Sequence, residues 1–278
     1  MVDLPPLGEL AWLAGAMIAT GAFAGILAGL LGVGGGIVIV PVLNVILTVL
    51  GVEPAILMHV AVGTSLLTII PTSIASARAH ARRGAVDWAL IRRWGATIVL
   101  GAILGGVAAS HLRSAALSLI FAVIALSVAL FMLLRPEGRS LFPRLPRGLL
   151  GQPIPLLIGG LSTLMGIGGG TLGVPILSAC AYPVRSAVAT ASLFGLLIAV
   201  PGSASFVIAG WGHPDLPPFS LGFPNLLGLV CIAPLTILFA PLGAKIAHTI
   251  RPGLLRILFA LFLTLTSVKM LLGALGVF

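Results

Sequence analysis

The chain has 278 residues, 59% hydrophobic and only 8% charged, with a mean hydropathy of +1.23 and a formal net charge of +9. So few polar residues cannot cover a water-exposed globule, and arginines clustered between long apolar stretches read as a topology signal, not a nucleic-acid footprint. The two cysteines, Cys180 and Cys231, both sit in apolar context, so neither a disulfide framework nor a CxxC metal site is indicated.

In chain order the apolar segments fall at 10–31, 37–50, 54–77, 94–112 and 115–134, then at 151–165, 171–181, 185–209, 222–248 and 253–276. Residues 10–52, 148–184 and 216–244 contain no Asp, Glu, Lys or Arg, whereas about 20 apolar residues suffice for a spanning helix. Met1 to Leu10 contains no Lys or Arg, which argues against a cleaved signal peptide. In the first segment Gly21, Gly25 and Gly29 stand at four-residue spacing, the pattern of a close helix crossing. It ends in Leu30-Leu31-Gly32-Val33-Gly34-Gly35-Gly36, followed by Pro41. The segment 37–50 is 14 residues long, about 21 Å as a helix against a hydrocarbon core of about 30 Å, so it is expected to enter and turn back.

The third segment carries His59, Thr64 and Ser65 and ends at His80, Arg82 and Arg83. Asp87 precedes Trp88-Ala89-Leu90 as a helix N-cap would. Trp12, Trp88, Trp94 and Trp211 fit interfacial belts. A basic, proline-containing linker at 135–153 then divides a first repeat, 1–134, from a second, 154–278.

The second repeat opens with Leu164-Met165-Gly166-Ile167-Gly168-Gly169-Gly170 followed by Pro175, the same punctuation 134 residues on. Its segment 171–181 is 11 residues long, about 17 Å. Ala189-Thr190-Ala191-Ser192-Leu193 matches Val62-Gly63-Thr64-Ser65-Leu66, which sets Thr64 opposite Ala191. Pro201-Gly202-Ser203 resembles Pro71-Thr72-Ser73, Leu258-Phe259-Ala260 aligns with Ile120-Phe121-Ala122, and Gly105 pairs with Gly243.

Five segments per half is an odd number. If each glycine-punctuated pair returns the chain to its own side, the two halves lie upside down relative to each other. Charge agrees: with the Arg78–Arg93 connection inside, thirteen of the fifteen basic residues face the cytoplasm, leaving Arg113 and Lys269. Both termini are then extracytoplasmic. The fold class expected is an all-α polytopic membrane protein of two inverted repeats with glycine-broken or re-entrant hairpins.

These motifs resemble the TauE/SafE family of sulfite and organosulfonate exporters, also called the toluenesulfonate uptake permease family. The residues that carry the resemblance are Leu31–Gly36 with Pro41, Ala61–Leu66, His80 with Gly84-Ala85-Val86-Asp87-Trp88, and Gly166–Gly170 with Pro175. It covers residues 10–276 and implies transport of small sulfur-containing anions, in a plasma membrane such as the bacterial inner membrane.

The physical reading of the glycines points the same way. Non-helical backbone inside lipid is tolerated where it lines an enclosed cavity or binds something polar. Helices beginning near Pro41 and Pro175 would aim their N-termini at one midplane locus from opposite sides, each with about half a positive charge. Two such ends match a monoanion, or a dianion with a co-moving proton. The candidate substrate site is therefore Gly34, Gly35, Gly36, Pro41, Thr64, Ser65, Gly168, Gly169, Gly170, Pro175, Thr190 and Ser192. The hydroxyls can equally bond back to their own helices, and the glycines can serve close packing alone.

His59 is a candidate proton carrier because imidazole titrates near physiological pH, with an interfacial structural histidine as the alternative. The partners expected are a small anion, the bilayer and a proton or other coupling ion, with no nucleic acid, cofactor or metal. The five histidines are scattered and no pair has ligand spacing, so no enzyme is expected. A passive anion channel and a non-transporting membrane component are the rival readings.

Overall fold

The structure, a computed structural model, describes residues 15, 17–27, 35–134, 142, 145, 146, 148, 151–247 and 252–274. Ten helices occupy most of it: α1 (Met17–Leu27), α2 (Gly36–Val49), α3 (Leu57–Arg82), α4 (Trp88–His111), α5 (Ser114–Leu134), α6 (Pro153–Met165), α7 (Gly169–Ala179), α8 (Val184–Ala209), α9 (Leu226–Ala247) and α10 (Pro252–Ala274). Among the described residues the one β-type pairing is a bridge between Ser220 and Asn225. The protein is an all-α polytopic membrane protein, and α3, α4, α5, α8 and α9 are long and apolar enough to cross a bilayer.

Asp87 caps α4 as its sequence position predicts, its Oδ1 accepting the amides of Ala89 (2.9 Å) and Leu90 (3.0 Å). The cap starts the helix at Trp88, six residues before the apolar stretch at 94, so Arg92 and Arg93 ride on its first turns. Trp94 departs from the belt expectation. Leu90, Trp94, Ile98, Gly101 and Gly105 form a buried stripe at helical spacing, and the Trp94 ring stacks on Phe194 at 6.1 Å. Trp88 and Trp211 are exposed as a belt requires, and Trp12 lies outside the described residues.

The helix starts expected at Pro41 and Pro175 are also corrected. α2 begins at Gly36 and α7 at Gly169, with both prolines inside their helices. The glycines themselves reverse the chain. Gly35 is left-handed (φ +75°) and its carbonyl accepts the amides of Val38 and Ile39, a conformation glycine adopts without Cβ strain. Gly168 is extended and its carbonyl accepts the Thr171 amide. The prolines instead remove the amides that would meet the carbonyls of Ile37 and Thr171.

α4 with α6, and α1 with α9, touch backbone to backbone. A Cβ on Gly101, Gly105 or Gly159 would collide with the carbonyls of Leu156, Gly160 or Ile98 across the α4/α6 crossing. Across α1/α9, one on Gly21 or Gly25 would lie 2.9 or 2.7 Å from the carbonyl oxygens of Ile232 or Thr236, and one on Gly243 would strike that of Ile26. The four-residue glycine spacing thus does what it predicts, with Gly29 outside the described residues. Contacts advance together along both partners, so each pair runs parallel.

The repeat counterparts α3 and α8 run antiparallel: Ser73 lies against Gly195, while Leu66, earlier in α3, lies against Gly202, later in α8. That geometry is compatible with an inverted duplication. α7 ends beside the α4 cap, where the Tyr182 hydroxyl donates to Asp87 (2.5 Å) and the Phe142 amide donates to the Ala179 carbonyl (3.0 Å). α2 extends toward the other end, where its Asn44 meets Met58 (3.3 Å) and the Met58 amide donates to Ser114 (2.9 Å). The two short helices therefore leave a common region near the middle of α3 and head for opposite ends of the molecule.

Candidate functional site

The two glycine breaks touch. A Cβ on Gly36 would lie 2.7 Å from the carbonyl oxygen of Gly166, 3.0 Å from the Ile167 Cα and 2.8 Å from the tip of Ile69 at the middle of α3. Gly166 (φ +67°) closes α6 in a Schellman turn: its amide donates to Thr163 (3.1 Å) and the Ile167 amide to Ser162 (2.9 Å). Ser65 of α3 donates its hydroxyl to the same Gly166 carbonyl at 2.6 Å, fully buried. On the far side of the turn, a Cβ on Gly169 would strike Phe194 and lie 3.0 Å from the Gly195 amide nitrogen.

Two helix N-termini open onto this crossing, and neither has a side-chain cap. Among the described residues, the amides of Gly36, Ile37, Gly169 and Gly170 meet no acceptor. Three further buried polar groups near the second break are unpartnered: the hydroxyls of Thr171 and Ser162 and the indole N–H of Trp94. Thr171 stands in the first turn of α7 and Ser162 in the last turn of α6, while Trp94 reaches the break through Phe194, whose Cβ faces Gly169. A buried polar group left unsatisfied costs about 1–3 kcal/mol, so each of these groups is free to meet an electronegative partner. Sequence reasoning missed all three. Only Thr171 carried a local signal, since it directly follows the glycine triplet.

Of the residues expected at the site, the structure gathers Gly35, Gly36, Ser65, Gly168, Gly169 and Gly170 around the crossing. Gly34 lies outside the described residues. Pro175 lines a lateral cavity instead. Ser192 donates back to Ala189 at 2.7 Å. His59 is buried at the other end of α3, its Nε2 3.1 Å from the Ala109 carbonyl and its ring 4.9 Å from that of Phe223, with Nδ1 unpartnered.

Thr64 and Thr190 form a matched pair. The Thr64 hydroxyl accepts the amide of Asn225 (2.9 Å), and Asn225 caps α9 by accepting the Gly228 amide on its Oδ1 (3.0 Å). The Thr190 hydroxyl accepts the amide of Asp87 (3.0 Å), the cap of α4. In each case the third segment of one half of the chain bonds the start of the fourth segment of the other half, at opposite ends of the protein. The linear alignment hid this because Thr190 is one residue out of register with Thr64.

The hydrogen bond from Tyr182, aided by those from the α4 amides, holds the Asp87 carboxyl below the usual carboxylate range, and burial raises the Tyr182 phenol. A depressed folded-state pKa gives stability that is present above the ordinary carboxylate range and lost as pH falls through the folded value. Tyr182→Phe is expected to lower the thermal midpoint at neutral pH, with the gap from the parent closing in strong acid. Melting curves between neutral and acid pH would read this, and a gap that widens toward acid would contradict it.

The family described as sulfite exporter TauE/SafE matches residues 17–270. A probable membrane transporter protein of Haemophilus influenzae is 34% identical over 252 residues, covering 91% of this chain and 96% of that one. A protein of the same description from Methanocaldococcus jannaschii is 30% identical over 261 residues, covering 92% and 94%. No solved structure matches.

Proposed function

The chain belongs to the sulfite exporter TauE/SafE family and is a multi-pass membrane transporter; from that premise we propose that it carries small sulfur-containing anions, such as sulfite or a sulfonate, by alternating access. The observation that supports this most is the meeting of Gly36 with Gly166 and Ile167, where two uncapped helix starts face each other beside the unpartnered hydroxyls of Ser162 and Thr171 in the adjoining turns of α6 and α7. Each helix start contributes about half a positive charge. Their sum suits one negative charge on the guest, bound by main-chain amides as in other carriers with interrupted helices.

In this reading the two threonine clasps are the gates. Thr190 on Asp87 closes one face, and Thr64 on Asn225 closes the other. The face carrying Arg78, Arg82, Arg83, Arg92, Arg93 and Arg185 is cytoplasmic in a plasma membrane, and inverted halves place both termini outside. His59, enclosed by Phe206 and Phe223 near the opposite face, is the candidate for a co-moving proton. The family match and the relatives' names support transport, not catalysis.

The test is flux into liposomes of purified protein, with sulfite, thiosulfate, sulfoacetate, taurine and sulfate offered in turn, with and without a pH gradient. Saturable exchange of the monoanions supports the proposal. At fixed total sulfite, flux should rise as acidification converts the dianion to the monoanion; preference for the dianion would overturn the charge match. Sustained unitary currents would favour a channel.

A further inference from the structure

A cavity of about 550 Å³ opens on the flank of the protein between α5, α6 and α7. Its walls are almost wholly apolar, with Val128 and Phe131 of α5 facing Leu172 and Ile176 of α7. The polar residue on its wall, Ser127, gives its hydroxyl to the Val123 carbonyl (2.8 Å) and so offers an apolar face. Ser127 and Phe142 are exposed, so the cavity is open to the surroundings. Its wall α5 is one of the helices long and apolar enough to cross a bilayer, so this flank suits lipid. The cavity exists because α6 and α7 are only 13 and 11 residues long, about 20 and 17 Å, and cannot fill the depth beside the full-length α5.

One end of this furrow is built by the linker. Phe142 and Pro146 line it, and the Phe142 amide donates to the last-turn carbonyl of Ala179 at 3.0 Å. The Arg93 guanidinium donates to the Pro146 carbonyl, which sets a cation at that rim. An apolar slot ending in a cationic rim has the polarity of an amphiphile with a negative head.

We propose that the furrow binds one anionic phospholipid of the cytoplasmic leaflet, its acyl chain between α5 and α7 and its headgroup against Arg93 at the Phe142–Pro146 end; the leaflet rests on the orientation proposed above. The volume lies in the about 300–1,000 Å³ range of small-ligand sites. Basic residues at a membrane surface each favour an anionic headgroup by about fivefold. The site is separate from the crossing of the glycine breaks, and its occupant would lie against Phe142 and Pro146.

The experiment is lipid retention. Protein extracted from membranes containing phosphatidylglycerol and phosphatidylethanolamine is washed in mild detergent, and bound lipid is quantified by native mass spectrometry. The parent should keep about one phosphatidylglycerol per chain in preference to phosphatidylethanolamine. Ala179→Trp should fill the furrow and abolish retention of both. Arg93→Gln leaves the walls intact, so it should still keep lipid but lose the preference for the anionic headgroup by about fivefold. Equal retention of both lipids by the parent, or an unchanged preference in the arginine variant, would overturn the proposal. So would retention of phosphatidylglycerol by a folded Ala179→Trp protein.

Discussion

Gly36→Val and Gly169→Val are each expected to abolish transport while the protein still inserts in the membrane. At Gly36 a β-carbon meets the Gly166 carbonyl oxygen at 2.7 Å and the Ile167 Cα at 3.0 Å, and at Gly169 it strikes Phe194. Most of these neighbours are backbone or the root of a side chain, so they cannot swing aside. Overpacking of this kind costs about 1–3 kcal/mol, which lowers stability without preventing insertion. The functional loss is larger because the branched group also occupies the approach to the Gly36, Ile37, Gly169 and Gly170 amides. Gly273→Ala is the control, since a β-carbon there meets nothing within 4 Å. Flux per inserted molecule in liposomes decides the matter. Parent-like flux in both valine variants would remove the breaks from the transport pathway.

Thr64→Val and Thr190→Val should shift the carrier in opposite directions. Each removes a hydroxyl that accepts the amide at the start of a long helix, at 2.9 Å from Asn225 and 3.0 Å from Asp87, and valine keeps the shape without the acceptor. Leaving that amide unpaired costs about 1–3 kcal/mol, equivalent to a shift of about 5–150-fold between two conformations. Only the closed form of the affected face pays this penalty. A Ser162→Cys reporter, in a background with Cys180→Ala and Cys231→Ala, can be labelled by impermeant maleimide from either side. Thr190→Val should raise labelling from the Asp87 end and Thr64→Val from the His59 end. A change in the same direction for both would dissolve the idea of paired gates.

Much of this was legible in the sequence, for identifiable reasons. A glycine triplet inside an uncharged stretch has few uses other than stopping a helix, so both breaks and the short segments after them could be read directly. Asp87 announced itself because capping is local chemistry. What stayed hidden depends on which face of a helix meets which neighbour. Pro41 and Pro175 look like helix starts, but Gly35 and Gly168 had already turned the chain. Trp94 looks interfacial beside Arg92 and Arg93, yet its ring is buried against Phe194 of α8. The free hydroxyls of Ser162 and Thr171 are distinguished from the self-bonded Ser192 only by tertiary surroundings.

The bare crossings of α4 with α6 and of α1 with α9 have a mechanical consequence. Main chain resting on main chain leaves no side-chain layer to shear, so each pair travels as one rigid strut. Each strut borrows one member from either repeat. In the alternating-access scheme proposed above, the rocking bodies are therefore hybrids of both halves, and a cut between the halves in the linker would sever the chain without separating them.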